Sequence, residues 1–274
     1  MEINLNKKKN QVSSKVVLTG SYGYVGVATR ELLENSGYTV IEIDKKIGRD
    51  TKYLFSYLIG EKPIAIIHLS ALKSIPESKK KPLLYYFNNI LSTLSVAIVA
   101  KALSIPVVFA SSAAFYSPSN AYARAKIVEE KILRLLCRHR AVLRYFNIVG
   151  KTPTVNDYGS TNLFEIIRRN PKININSITS TRDYVHVLDI ARANVMAMEH
   201  LQTKDSFTTD IFTGESRTLA DVMEEYKITG LTIDYTVLGL EDADTIPTLD
   251  NRSIFGWKPI YTFKQAIQSE IKEK

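Results

Sequence analysis

Tyr122 and Lys126 are four positions apart at the start of a stretch with helical periodicity, so their side chains leave one helix face about a turn apart. A phenol with an ordinary pKa of about 10 is a poor base at neutral pH, and an ammonium beside it favours the phenolate. The pair can therefore take a proton from a hydroxyl. Ser111 and Ser112 lie just after the apolar run Pro106 to Ala110, where the carboxyl edge of an open α/β sheet would bind ligands. Ser112 can hydrogen-bond the reacting hydroxyl and relay its proton. A serine in a turn is commonly structural and a Tyr/Lys pair on a helix is commonly surface. Their ordered occurrence after a glycine-rich turn is what points to chemistry.

That turn is Gly20-Ser21-Tyr22-Gly23-Tyr24-Val25-Gly26, between the β-rich run Lys15 to Thr19 and a helical segment from about Val25 to Asn35. Glycines there permit a tight bend and let the backbone approach a pyrophosphate at a helix N-terminus. Gly20, Tyr22, Gly23, Tyr24, Val25 and Gly26 are accordingly candidate dinucleotide contacts. Asp44 closes the second strand, Tyr38 to Ile43, where a carboxylate accepts hydrogen bonds from the adenosine ribose and repels a ribose phosphate. NAD is thus expected over NADP, with Lys45 and Lys46 directly following as a counterweight. Leu69, Ser70 and Ala71 end the third strand with the small residues needed where a cofactor crosses a strand terminus. His68 is assigned no chemistry.

The elements that must position these groups alternate. Strands are predicted at Lys15 to Thr19, Tyr38 to Ile43, Ile64 to Leu69, Pro106 to Ala110 and Ala141 to Tyr145, with helical stretches between most of them, including Ala121 to roughly His139. The rhythm implies an α/β fold: a Rossmann-type doubly wound parallel sheet, covered on both faces, with a smaller mixed C-terminal substrate-binding region. Residues 1–14 read as a flexible polar tail and 15–150 as the NAD-binding domain. Residues 151–274 read mainly as the substrate-binding region, with some segments returning to the first domain. Thr152 to Ser180 is rich in Asn, Thr, Pro and Ser, and helical periodicity resumes from Val185 to Leu201. The apolar run Leu91 to Phe115 resembles a membrane span, but Lys101 and Pro106 divide it into a helix and a buried strand.

Composition narrows the class. The 274 residues are 45% hydrophobic and 23% charged, ordinary values for a globular chain. The net charge of +8 is spread over a polar tail and helices, without a basic stripe interleaved with aromatics, which argues against nucleic acid and suits a pyrophosphate-bearing substrate. One cysteine, Cys137, excludes an internal disulfide and fits a reducing, cytoplasmic setting. Four scattered histidines offer no metal-ligand spacing, and Met1 to Ser14 lacks the apolar stretch of a secretory signal.

These residues together resemble the extended short-chain dehydrogenase/reductase family, most closely its UDP-glucose/UDP-galactose 4-epimerases. The likeness runs with gaps from about Lys15 to Pro259, through TGSYGYVG (Thr19 to Gly26), HLSALKSIPES (His68 to Ser78), KPLLYYFNN (Lys81 to Asn89), SSAAFY (Ser111 to Tyr116), YARAK (Tyr122 to Lys126), LRYFN (Leu143 to Asn147), RDYVHVLDIA (Arg182 to Ala191) and GWKP (Gly256 to Pro259). The resemblance implies that Ser112, Tyr122 and Lys126 are catalytic. It places Lys45, Asp50, Lys73, Asn88, Ser111 and Tyr145 with the cofactor, alongside Tyr122 and Lys126. Asn147, Asn162, Leu163 and Arg182 are expected on a nucleotide-sugar substrate with Ser112 and Tyr122; the alternative for Arg182 is an ion pair with Asp183. It further implies a homodimer formed through the helices around Lys81 to Ala102 and Ala121 to Arg138.

Three departures stand out. Ser117 to Ala121 is short where relatives carry a longer loop, and Asp44 to Ile64 is abbreviated. Gly239-Leu240-Glu241-Asp242 lacks the arginine of the family's Arg-x-Gly-Asp segment. For the reaction, the resemblance implies oxidation at a sugar C4 hydroxyl, with Tyr122 as base and NAD as hydride carrier, then return of the hydride to the other face of the 4-keto sugar. A 4,6-dehydratase would place Asp and Glu after the active-site serine, where this chain has Ala113 and Ala114. A sugar 4-reductase, another epimerase and a catalytically silent NAD-binding regulator remain the other readings.

Overall fold

The computed structural model describes residues 14–151, 172–174, 180–225, 232–234 and 247–271. Its principal sheet has six parallel strands: β1 (Lys15–Thr19), β2 (Thr39–Ile43), β3 (Pro63–His68), β4 (Val107–Ser112), β5 (Arg140–Tyr145) and β9 (Phe207–Ile211), in the order β2-β1-β3-β4-β5-β9. Strands such as KVVLT and PIAIIH are nearly continuous apolar runs because both faces of a parallel sheet are covered. The pleat sends alternate residues to opposite sides. Val16, Leu18, Ala65, Ile67, Val108, Ala141 and Leu143 share one core with Leu33 of α1 (Tyr24–Asn35) and with Ile190, Ala193 and Met198 of α6 (Val187–Leu201). Val17, Ile66, Val107, Phe109 and Val142 share the other with Val96 and Ala100 of α4 (Pro82–Leu103) and Leu133 of α5 (Ala121–Leu136).

The abbreviated segment after β2 holds two 3-10 turns and the single-turn α2 (Leu54–Tyr57), leaving β2 at the sheet edge. The chain then passes through β3 into α3 (Ile75–Lys80). The topological switch accordingly lies between β1 and β3, and a ligand crevice forms where the strand order reverses, at the strands' carboxyl ends.

Beyond β5 the chain leaves and re-enters this sheet. β6 (Asn147–Val149), β8 (Thr181–His186) and β10 (Ser216–Thr218) form a mixed three-stranded sheet in the order β10-β8-β6. β7 (Lys172–Asn174) pairs in parallel with β11 (Thr232–Asp234). Between them α6 packs on α1, and β9 pairs with β5, so residues after 150 complete both a helical layer and the first sheet. Helix α7 (Leu219–Glu225) follows β10.

Some boundaries differ from the periodicity. Val185 and His186 end β8 rather than starting a helix, because β8 pairs with β6 up to His186, whose ring Nδ1 then accepts the Leu188 N–H and caps α6. Helix α5 stops at Leu136, where the extended backbone of Cys137 turns toward β5. The final helix α8 (Phe263–Ile271) is approached through a clip on α6: buried Asp189 accepts the N–H groups of Ile260 and Tyr261, and its carbonyl accepts Trp257 Nε1–H at 3.0 Å. Helix α4 is long and apolar enough to cross a membrane, yet half of that stretch is buried inside the protein, against α5 and the sheet.

Candidate active site

A cleft of about 610 Å³ opens at the carboxyl ends of β1, β3 and β4. One end is the glycine turn. Gly20 sits at φ +72, where a Cβ would meet Ser70 N at 2.9 Å, and a Cβ on Gly26 would lie 1.9 Å from the Gly20 carbonyl oxygen. The backbone is therefore folded back on itself more tightly than any side chain allows. Gly23 enters α1 without a side-chain cap, and the first residues of this twelve-residue helix, Tyr24, Val25 and Gly26, line the cleft. The start of a helix, at the positive end of its dipole, is a ready anion site.

Asp44, at the end of β2, accepts the Tyr22 N–H at 3.0 Å and the Lys46 N–H at 2.9 Å, which fixes its carboxylate against the turn. Lys45 reaches across to Asn88 Oδ1 at 2.6 Å and lies 3.5 Å from Asp50. Its charge is thus directed away from Asp44. Burial alone would raise the pKa of Asp50, but the Lys52 N–H and the ammonium groups of Lys45 and Lys52 outweigh it and hold the carboxyl below its ordinary value. On the opposite lip Asn89 both accepts from Leu72 N and donates to Leu72 O, which pins the segment carrying Lys73.

The other end carries Tyr122, Lys126 and the two serines. Asn120 caps α5 through the Ala123 N–H at 2.9 Å, and Tyr122 and Lys126 follow in its first turns. Lys126 Nζ is 5.9 Å from the Tyr122 ring centroid and donates to the Ala110 carbonyl at 3.0 Å and to Glu129 at 2.9 Å. Ser111 and Ser112 are the last residues of β4, not residues beyond it, because the pairing with β5 runs on to Ser112 and Tyr145. The pleat then points the two serines oppositely. Ser112 caps a 3-10 turn by accepting the Ala114 N–H, which leaves its own proton to donate. Ser111 gives its proton to Glu130 at 2.6 Å.

Glu130 is the hinge of a support network. Arg144 grips it with two N–H donors and donates a third to the Tyr116 hydroxyl, which in turn donates to Asp210 at 2.7 Å. This ties α5, β4, β5 and β9 together beneath the site. Tyr145 is likewise committed elsewhere: its hydroxyl donates to Asn194 on α6, and burial pushes its pKa well up.

The cleft brings together Gly20, Tyr22, Gly23, Tyr24, Val25, Gly26, Asp44, Lys45, Asp50, Leu69, Ser70, Ala71, Lys73, Asn88, Ser111, Ser112, Tyr122, Lys126, Tyr145 and Asn147. Arg182 does not line it. This residue sits on β8, two positions from Tyr184, the register partner of Asn147, and neighbouring Asp183 is spent on the N–H groups of Thr213 and Gly214. Asn162, Leu163 and the Gly239 to Asp242 segment lie outside the described residues. Sequence reasoning did not select Thr51, Ser92, Phe146 or Ile148, which also line the cleft. Phe146 and Ile148 flank Asn147 and were within reach of the same motif, whereas Thr51 lies in the abbreviated segment and carries no signal.

Residues 16–210 match the family model described as the NAD dependent epimerase/dehydratase family. The chain belongs to this family. Within it, the chain is similar to UDP-glucose 4-epimerase of Rhizobium leguminosarum bv. trifolii, 28% identical over 93% of this chain and 95% of the relative. A second such relative, from Lactobacillus helveticus, is 28% identical over 89% and 92%. The first alignment spans 315 positions against a chain of 274, so the relative carries insertions. Among solved structures, the fold is similar to UDP-glucose-4-epimerase from Stenotrophomonas maltophila with bound NAD and formylated UDP-arabinopyranose (TM-score 0.82, 23% identity, 94% of this chain and 97% of that one). It is also similar to the Bifidobacterium longum enzyme in complex with NAD+ and UDP (TM-score 0.81, 23% identity, the same coverage).

Proposed function

We propose that this protein is an NAD-dependent nucleotide-sugar 4-epimerase acting on a UDP-hexose such as UDP-glucose or UDP-galactose. One observation carries the reading: Ser112, Tyr122 and Lys126 line the same cleft as the glycine turn and Asp44. The names of the relatives, and the NAD and UDP groups held by similar structures, support it.

The residues fit a dinucleotide. The turn from Gly20 to Gly26 has no room for side chains, the uncapped start of α1 would hold the pyrophosphate, and Asp44 would accept the adenosine ribose hydroxyls. When bound, NAD supplies reversible hydride acceptance at its nicotinamide ring. Tyr122 takes the proton from the sugar C4 hydroxyl and later returns it. Ser112, with its proton unspent, holds the same oxygen in line. Lys126 has three N–H donors, two of them engaged by Ala110 and Glu129, which leaves one for the cleft. Ala113 and Ala114 offer no acid or base beyond Ser112, which disfavours loss of water.

Removing the Asp44 carboxylate tests the cofactor. Asp44→Ala is expected to raise the NAD dissociation constant about 10- to 100-fold, the range for a hydrogen bond to a charged group, and to narrow the preference over NADP; titration with both cofactors reads it. For the reaction, the purified protein should interconvert UDP-glucose and UDP-galactose without added reductant. Turnover only with added NADH would favour a 4-reductase. Inactivity over a panel of nucleotide sugars with NAD bound would favour a silent regulator.

We further infer a cytoplasmic homodimer built through α4 and α5. Leu84, Phe87, Leu91 and Ile98 form an exposed stripe along α4, beside exposed Val128 and Leu135 on α5. Sedimentation should show dimers at micromolar concentration; monomers alone would overturn this assembly.

A further inference from the structure

Behind the cleft, Glu129 is fully buried and Lys126 nearly so, at 0% and 3% exposure. Their contact is 2.9 Å, and Lys126 Nζ also sits 4.5 Å over the Phe109 ring. Two buried charges are tolerated only when paired and hydrogen-bonded. The carboxylate oxygen that meets Lys126 is also held by a chain whose donors all run one way. Thr93 Oγ1 on α4 donates to Glu129 Oε2 at 3.2 Å, so its proton is spent and His68 Nε2, 3.0 Å away, donates into it. His68 Nδ1 must then accept from Thr19 Oγ1 at 2.7 Å, and that oxygen accepts the N–H groups of Leu69 and Ser70, both at 3.2 Å. The chain starts at the ligand edge of β3 and ends on Glu129. Glu129 Oε1 has no partner among the described residues, which leaves the carboxylate's interactions concentrated on the oxygen facing Lys126.

We propose that Glu129 is a positioning residue for Lys126: a buried counter-charge, clamped by Thr93 and His68, that sets the pH at which the Tyr122–Lys126 pair releases its proton. This rests on the reading of Tyr122 as the base. A phenol and an ammonium in one site titrate as a pair. A fixed negative charge on the ammonium raises the pair's hold on its first proton, whichever group releases it. Other charged groups pack around the pair. His68 of β3 stays neutral, because burial, with the Lys126 charge adding to it, holds its pKa at about 3. Glu130 is matched by Arg144 of β5. Lys73, in the connection after β3, lines the cleft, and Glu77 of α3 lies 3.4 Å from Lys81 and accepts the Tyr85 hydroxyl of α4.

The test compares E129Q, which keeps the shape and removes the charge, with E129D, which keeps the charge. The ascending limb of kcat against pH should move about one unit to lower pH in E129Q, the effect of a unit charge across roughly 10 Å at an effective dielectric of about 20. In E129D the limb should stay at its wild-type position while kcat falls. The ultraviolet band of the Tyr122 phenolate, isolated by subtracting the same protein carrying Tyr122→Phe, should shift alike and needs no turnover. A wild type that turns over no nucleotide sugar while its phenolate band still shifts in E129Q would sink the epimerase reading and leave this proposal standing. An unmoved limb and band in folded, NAD-binding E129Q would overturn the proposal. Thr93→Val, which keeps both charges but releases the clamp, should lower kcat with KM unchanged; wild-type kcat there would also overturn it.

Discussion

Tyr122→Phe is expected to lower kcat about 10²- to 10⁴-fold, the range attributed to a positioned general base, with KM and NAD affinity little changed. The substitution removes one oxygen and leaves the ring on α5, where Asn120 caps the helix and Lys126 remains anchored to Ala110 and Glu129. Neither the glycine turn nor Asp44 contacts the phenol oxygen in the network described above. Steady-state kinetics in both directions, with NAD content measured on the same sample, decide it. Near-normal turnover would mean that another group accepts the proton.

Gly26→Ala is expected to abolish measurable NAD binding and to lower the melting temperature. Its Cβ would fall 1.9 Å from the Gly20 oxygen and 2.9 Å from the Gly20 and Ser21 carbonyl carbons, all backbone atoms that cannot swing aside. Relief requires opening the turn, yet Gly20 is itself tied by its N–H to Ile43 O at 2.8 Å and packed against Ser70. The first turn of α1 would then shift away from the strand ends, and the anion site with it. Calorimetric titration with NAD beside a thermal melt checks both halves; if the Gly26→Ala protein binds NAD as the parent does, the turn is not the cofactor cradle.

Much of the principal sheet was legible because parallel strands buried on both faces leave unbroken apolar runs, and a glycine turn followed by an acidic strand end has few other uses. That Tyr122 and Lys126 share a helix face was legible from their spacing, but that spacing took its meaning from the glycine turn earlier in the chain. The sixth strand, Phe207–Ile211, was missed: FTTDI carries two threonines and a buried aspartate, and Asp210 is satisfied by the distant Tyr116 hydroxyl and by the N–H groups of Thr248 and Leu249. Ser111 looked like Ser112 in the sequence. The pleat sends the Ser111 hydroxyl to Glu130 on α5 and leaves Ser112 capping the 3-10 turn, a difference that two adjacent serines do not show in the sequence. Glu129 gave no signal, because a glutamate on an amphipathic helix reads as solvent-facing until the packing of α4 is known.

The return of α6 and β9 to the first sheet also constrains how the protein is made. A ribosome that has delivered the chain as far as Gly150 has released five of the six strands of the principal sheet, but α1 keeps an uncovered apolar flank until α6 is out at Leu201, and β5 an unpaired edge until Ile211 emerges. Through that interval the nascent chain presents the kind of surface that chaperones hold and that neighbouring copies can capture. Slowing translation between those two points should therefore reduce soluble yield, whereas slowing it after Ile211 should matter far less.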